Sequence, residues 1–523
     1  MNENKPDKQT SSIWMENSPR RTFPALTGNI DAVDVCIIGA GITGLSTALL
    51  LLQNGKSVVV LDDGPIGGGD TCRTTAHITA VLDARYFEIA RMHGKENAAL
   101  IAESHVSAIN KIEAIINLFV IDCDFKRVDG YLFAADDDEH TIKELQRELD
   151  AVQDLPALSA RLVDQLPFGP ELPAIKFSRQ AQFHVLKYLD ALCDGIEEMG
   201  GRIFSNEHVD KFDDGEQVRV TTRGGKQIIA SNLVVATHSP ISDWVKVHTK
   251  QAPYRSYAIA VSIPKESFPL GLYWDTAEPY HYVRVQSSPS AEEDMLIVGG
   301  EDHRTGEAND ADERFARLED WMHERLGVTG KVQYSWSAQV YEPSDGLGYI
   351  GLDPAHSKYK NVFVSTGASG VGMTHGTISA MVLTDLISGV DNPWQKIYSP
   401  ARKPLGAVLN YLKENINTAE QYARLAAPGE ISGYESLAPG EGAIIRRGLD
   451  QIAAYKDEQG RVHELSAHCP HLGATLCWNS CEKSWDCPAH GSRFDATGQV
   501  INPPANSDLK PHDESQSRHP KAS

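Results

Sequence analysis

Hydrophobic residues near the start of the chain fall in short unbroken runs. Residues 1–30 are polar, with scattered Pro and Ser, and read as a loosely ordered arm. Val35-Cys36-Ile37-Ile38 then carries no charge and is mostly β-branched, the pattern of a strand buried on both faces. Residues 45–53 read as an apolar helix stopped by Gly55, and Ser57-Val58-Val59-Val60-Leu61 as a second buried strand. Strand, helix and strand in this order predict a parallel pair. Further on, Ile101, Ile109, Ile112, Ile115 and Ile116 recur at helical spacing within 100–118. Residues 128–133, 258–263, 273–275, 280–284 and 296–300 read as strands of a second sheet. A strand opens at Gly200-Gly201-Arg202-Ile203, 218–221 and 225–230 read as a hairpin, and 233–238 closes it. Residues 361–366 form another apolar run ahead of a Gly-rich turn and a helix. From Asn392 the composition shifts: Pro393, Pro400 and Pro404 precede a polar helix around 407–425. Three short strands follow at 443–446, 451–456 and 462–466, and 506–523 is charged, rich in Ser and Pro, and disordered in character.

Charge narrows the partners. Lys and Arg number 49 against 71 Asp and Glu, a net charge of −22 with no basic run, so nucleic acid and anionic membrane surfaces are poor partners. No stretch approaches the roughly 18 apolar residues of a membrane span. Cys36, Cys72, Cys123 and Cys193 are widely scattered, which fits a reducing compartment. No export signal is visible, and a cytoplasmic location is expected.

The turn between the first strand and helix reads Gly39-Ala40-Gly41-Ile42-Thr43-Gly44. With glycine at these positions the chain can turn tightly, a pyrophosphate can approach the backbone, and helix and strand can pack closely. The helix N-terminus then faces the phosphates with its partial positive charge. Asp62, at the end of the second strand, is placed to accept from ribose hydroxyls. An ordinary tight turn is the plainer reading, but strand, glycines, helix, strand and acid stand here in the required order. The fingerprint occurs once, where an enzyme using two dinucleotides would usually carry two.

Two further clusters lie near the C-terminus. Cys469-Pro470-His471-Leu472-Gly473 and Cys487-Pro488-Ala489-His490-Gly491-Ser492 leave fifteen residues, Leu472 to Asp486, between second and third ligand. Two thiolates and two imidazoles so arranged are the donor set of a binuclear iron–sulfur cluster, thiolates on one iron and imidazoles on the other. Neutral imidazoles favour ferrous iron, so the added electron settles on the His side. A structural zinc site is the competing reading, although zinc fingers usually pair Cys with Cys and His with His.

These boxes make residues 430–509 resemble a Rieske [2Fe–2S] domain, and the resemblance implies Cys469 and Cys487 on one iron and His471 and His490 on the other. High-potential members carry a disulfide between the two loops; Ala474 and Ala489 stand at both positions here. Ser492, whose hydroxyl in that family reaches a bridging sulfide, is present, while Phe494 replaces an aromatic hydroxyl. Fewer donors to sulfur imply a potential below that of respiratory-chain Rieske proteins. Cys477 and Cys481 flank the loop and read as two free thiols rather than a replacement disulfide. Residues 31–400 resemble the D-amino-acid-oxidase-like flavoproteins, the group of glycine and sarcosine oxidases. The resemblance implies FAD as the dinucleotide. It places Gly367, Gly370, Gly372, Met373 and Thr374 around the flavin ring, Val209 beside the adenine, and Thr71 to Thr75, Thr75 included, near the ring. It implies Trp274, Tyr280, His281, Arg255 and Trp336 as candidates to line a substrate pocket. Thr74-Thr75-Ala76-His77 loosely resembles the stretch in dimethylglycine dehydrogenase-like enzymes where a His bonds the flavin; a His merely buried near the ring is the other reading.

The expected fold class is α/β: a Rossmann-type FAD-binding domain interleaved with an antiparallel-sheet substrate domain over 31–400, a linker helix over 401–429, a small all-β Rieske domain over 430–509, and a disordered tail over 510–523. The expected function is oxidation of a small amine or amino acid at FAD, with electrons leaving singly through the [2Fe–2S] cluster to an external acceptor. No catalytic acid or base is assigned. A reductase drawing on NADH and a non-enzymatic electron carrier are the alternatives. An oxygenase is set aside, because only 33 residues follow His490, too few for a mononuclear iron domain.

Overall fold

The computed structural model describes residues 10–17, 21–169, 171–241, 245–403, 406, 421–422, 425, 429–431, 433–448 and 450–512. The strand Ile30–Ile38 lies at the heart of an eight-stranded sheet, parallel to Val58–Leu61 on one side and to Gln227–Val235 on the other. Val35 to Ile38 are buried, as their uncharged run requires. Arg202–Phe204 extends the sheet beyond Val58–Leu61, and Val362–Thr366 and Tyr349–Leu352 extend it beyond Gln227–Val235. Gln227–Val235 is one continuous strand. Its first half pairs antiparallel with Val218–Thr222 and its second half runs parallel to the central strand, where the sequence pattern suggests a hairpin and a separate closing strand.

The helix Ile42–Gln53 is buried from Ile42 to Leu52 apart from Thr43, because it is apolar on every side and enclosed on every side. One neighbour is the helix Gly372–Ser388, where Gly376 lies so close to Ile42 and Thr43 that no larger residue would fit without displacement. A nine-stranded, mostly antiparallel sheet forms the second half of this unit. Its long strands Gln251–Pro264, Glu293–Arg304 and Lys331–Pro343 lie side by side. One pair in it, Leu272–Asp275 with Lys126–Phe133, is parallel.

The C-terminal unit contains two small antiparallel sheets, of three strands (Glu441–Arg447, Asp450–Lys456, Val462–Ser466) and four strands (Cys477–Asn479, Ser484–Asp486, Arg493–Asp495, Val500–Asn502). Its core packs Trp478, Trp485 and Phe494 around Cys469 and Cys487.

Two expectations are corrected. The described part of the N-terminal arm is packed, not loose: Ile13–Asn17 is helical, Trp14 is fully buried, and its indole N–H donates to Thr74 O at 2.6 Å. Isolated large apolar residues dock a polar stretch without leaving a periodic signal. The C-terminal unit also runs past 509, since Ser466 N–H donates to Lys510 O and His512 N–H to Glu464 O. Most of the expected linker helix, and the tail from 513, lie outside the described residues.

Candidate functional site

Two cavities adjoin each other in the larger unit. The first, of about 240 Å³, is lined by Gly39, Gly41, Asp62, Val209, Gly370, Gly372 and Met373 among others. Gly39 adopts φ +103°, open to glycine but rarely to other residues, and its neighbour Ala40 donates its N–H to Asp62 Oδ2 at 2.6 Å. Asp62 Oδ1 accepts from Gly64 N–H at 2.9 Å. Burial, reinforced by Asp63, pushes the Asp62 carboxyl up to about 7, against the pull of these two backbone bonds. Gly41 caps the helix without a side chain, and no acidic residue occupies the first turn. The helix N-terminus therefore presents its N–H groups and partial positive charge to the cavity.

The structure brings most of the expected residues to this cavity, but not all. Gly44 and Gly367 lie behind it; Gly44 packs against Gly39 O, the close helix–strand contact expected of it. Thr374 is buried in the helix, its hydroxyl bonded to His105 Nδ1, Thr79 O and Val371 O. Thr71 and Thr74 face the first cavity, whereas Thr75 faces the second.

The second cavity, of about 490 Å³, shares Thr74, Ala338, Val340 and Gly370 with the first. Trp274 and Tyr280 line it as expected. Arg255, His281 and Trp336 do not: Arg255 pairs with Glu482, His281 with Asp275 and the Trp321 ring, and the Trp336 indole donates to Arg73 O. His77 lines the second cavity, with Nδ1 at 3.1 Å from Thr75 Oγ1 and a buried Nε2 without a hydrogen-bond partner. Burial, then the neighbouring Arg284, lowers it to about 3, so the ring is neutral. Asp83, Tyr282 and Asp302 also face this cavity; they lie far apart in sequence and follow no motif.

In the C-terminal unit Cys469, His471, Cys487 and His490 come together. The two imidazole rings lie 5.1 Å apart, centroid to centroid. Cys469 Sγ receives the Cys487 thiol first, then the N–H groups of His471 and Leu472 and the Ser492 hydroxyl, which together hold it below the ordinary thiol range despite burial. Backbone N–H groups of Ala489 and His490 point at Cys487. His490 Nδ1 is buried without a partner. Among the described residues no group of three or more His, Cys, Asp or Glu is placed to hold a single metal ion, as a Cys2His2 zinc site demands. A binuclear cluster asks only two protein donors of each iron, and amide and hydroxyl donors around the sulfurs suit thiolate ligands. None of the eight cysteines forms a disulfide.

The two units meet at these sites. Gly491 adopts φ +79°, and a side chain there would run into Tyr341 Oη, Pro253 and Gln339. Gln339 Nε2 donates to Gly491 O at 2.8 Å, and Tyr341 Oη reaches His490 O and Gly491 O at 3.3 Å each. Gln339 and Tyr341 both line the first cavity, as do Val500 to Pro503, Ala505 and Asn506 from the C-terminal unit. His248 stacks edge-on, its ring centroid 5.0 Å from that of His471.

With this geometry in view, the chain matches the FAD dependent oxidoreductase family over residues 34–386 and the Rieske [2Fe-2S] domain over 430–513. It belongs to the FAD dependent oxidoreductase family and carries a C-terminal Rieske domain. Among its relatives, YhfW of Bacillus subtilis, a protein named for a Rieske 2Fe-2S iron–sulfur centre, is 31% identical over 509 residues, 95% of this chain and 97% of the relative. The gamma-glutamylputrescine oxidoreductase of Escherichia coli is 23% identical over 395 residues, 73% of this chain and 90% of the relative. The crystal structure of glycine oxidase from Geobacillus kaustophilus superposes with a TM-score of 0.58 at 16% identity, covering 71% of this chain and 99% of that one. The protein is thus an oxidoreductase binding FAD and a [2Fe–2S] cluster. The uncapped helix end and glycine turn fit a pyrophosphate, and the two-sulfur, two-nitrogen donor set fits the cluster.

Proposed function

We propose that a small amine or amino acid is oxidised in the second cavity and that its electrons leave singly through the cluster to an external acceptor. FAD supplies two-electron acceptance and one-electron release, and a [2Fe–2S] centre carries one electron at a time. In this reading Gly39, Gly41, Asp62, Val209, Gly370, Gly372 and Met373 hold the FAD, and Cys469, His471, Cys487 and His490 hold the cluster. The larger unit and the C-terminal unit act as donor-side and acceptor-side halves of one circuit.

The observation that carries the relay is the strand Lys331–Pro343. Its Gln339 and Tyr341 wall the FAD cavity and also bond the backbone carbonyls of His490 and Gly491, a cluster ligand and its neighbour. Bonds of this kind fix the cluster loop against the cavity. Tyr341 is fully buried, and burial raises its phenol well above the ordinary range, so it stays a neutral donor. Similarity to an amine oxidoreductase and to the glycine oxidase fold supports an amine or amino acid as the donor.

Anaerobic mixing with a panel of amines and amino acids tests this. Flavin bleaching should precede a one-electron paramagnetic signal from the reduced cluster. A cluster that stays oxidised beside a bleached flavin would rule out the relay, and bleaching by NADH alone would make the protein a reductase.

A further inference from the structure

We propose that the second cavity binds a cationic amine carrying no carboxylate, held at its inner end by Asp83 and Asp302. The inference rests on the reading that this cavity receives the electron donor, and it narrows the donor's class.

The lining is unbalanced in charge. Asp83, Glu88, Glu278, Asp302 and Glu342 all face the cavity. Among the described lining residues Arg73 is the one permanently cationic side chain, and its guanidinium is turned away. It bonds Ser337 O and Glu482 at 3.0 Å each and Thr10 O at 3.2 Å, all toward the contact with the Rieske domain. His77 is neutral and adds no charge. An amino-acid carboxylate would therefore meet like charge among the lining residues, since Arg85 and Arg314, the cations that act on Asp83 and Asp302, do not line the cavity, and burial increases that cost.

The inner end has the features of a cation site. Asp302 Oδ1 is buried and has no hydrogen-bond partner. Asp83 Oδ2 accepts from Tyr280 Oη at 3.0 Å. Burial raises both carboxyls: Asp83 against the Tyr280 hydroxyl and Arg85, and Asp302 to about 7 against the Ser256 hydroxyl and Arg314, with Asp83 repelling it. A bound cation relieves the desolvation and the repulsion together. The Asp83 carboxylate also lies against Gly370, so closely that a side chain on Gly370 would overlap it, and Gly370 walls both cavities. The ammonium end of a ligand would thus sit beside the FAD cavity. Tyr254, Tyr280, Tyr282 and Trp274 offer aromatic surface to an alkyl chain or a second cation. Glu278 is exposed at the mouth, placed for the far end of a diamine.

The test uses the holoprotein under anaerobic conditions with 1,4-diaminobutane, with ornithine (the same chain bearing a carboxylate) and with glutarate. Binding is read from perturbation of the flavin absorption band and oxidation from its bleaching. The diamine should bind at least tenfold more tightly than ornithine, and glutarate should not bind. Asp302→Asn and Asp83→Asn should each weaken the diamine tenfold or more, and Glu278→Gln should do so less, with FAD content and cluster spectrum unchanged. Equal or tighter binding of ornithine or glutarate, no binding of the diamine, or full diamine affinity in both Asn variants would overturn the proposal. If the diamine perturbs the band without bleaching it, the binding class stands and amine oxidation fails. If ornithine bleaches the flavin and the diamine does not, amine oxidation stands and this inference fails.

Discussion

The four proposed cluster donors, Cys469, His471, Cys487 and His490, stand out in the sequence residue by residue, because iron demands particular donor atoms at a particular separation. What surrounds them carries a first prediction. The Ser492 hydroxyl approaches Cys469 Sγ and accepts from Ala505 N–H at 2.9 Å, while Phe494, fully buried nearby, offers no donor. Ser492→Ala removes one bond to a sulfur. If about 1–2 kcal/mol of such a charge-assisted bond distinguishes the reduced from the oxidised cluster, the potential falls by roughly 40–90 mV, at about 59 mV per tenfold for one electron. Redox titration of the cluster signal reads this directly. Asp302 carries a second. Its carboxyl is raised to about 7 by burial, and Asp83, Glu278 and Arg314 act on it as neighbouring charges. Between its ordinary 3.8 and about 7 the folded protein holds this proton more tightly than the unfolded chain does. Its contribution to stability is therefore present at low pH and lost as pH rises through 7. Cation binding runs the other way. Below about 7 a diamine must displace the proton, so its affinity should fall toward tenfold per pH unit on going from 7 to 6, and a flat binding profile over that range would count against the assignment. Asp83 and Asp302 were not legible in the sequence: two aspartates 219 positions apart acquire meaning only when a strand and a loop bring them to one cavity.

At the scale of elements, periodic and continuous apolar runs foretold the central strands and helices, because sustained burial leaves a pattern. Packing of the N-terminal arm did not show, since it depends on Trp14 and a few isolated neighbours rather than on a period. The charged join between the halves was also hidden. Glu482, on the turn between Cys477–Asn479 and Ser484–Asp486, is buried and meets Arg73, Arg255 and Arg493 at 3.0 Å each. These guanidiniums hold its carboxyl far below the ordinary 4.5, overcoming burial. Glu482→Gln would leave buried arginines without their counter-ion and should cost about 3–5 kcal/mol, seen as a lower denaturation midpoint. The sign of its pH dependence follows from the lowered value. The stabilisation is complete above 4.5 and drains away as pH falls below it, so wild type and variant should converge in stability on acidification.

At the scale of the whole molecule, the Rieske domain does more than append a second cofactor: it forms one wall of the first cavity. Val500, Ile501, Asn502, Pro503, Ala505 and Asn506 line the first cavity together with Gly39 and Gly41 of the glycine turn. Asn506 Nδ2 donates to Val209 O at 2.8 Å and to Asp210 O at 2.7 Å, and Asn502 reaches Asp70 at 3.4 Å. Sequence could not foretell this, because the docking of two domains is written in surfaces and not in spacing. It has a consequence for the flavin even when the cluster takes no electron. With FAD in this cavity, as proposed, a wall held by side-chain bonds opposes its release, and the bonds at Val209 and Asp210 contribute to its retention. Asn506→Ala removes both. At about 1 kcal/mol net per neutral bond, and with part of the loss shared by backbone packing, FAD release should quicken roughly five- to thirtyfold, followed as the rise in free-flavin fluorescence on dilution. Cluster absorption should stay as in the wild type, since the Asn506 side chain bonds Val209 O and Asp210 O and no cluster ligand. An unchanged release rate would mean that the segment merely borders the cavity and does not close it.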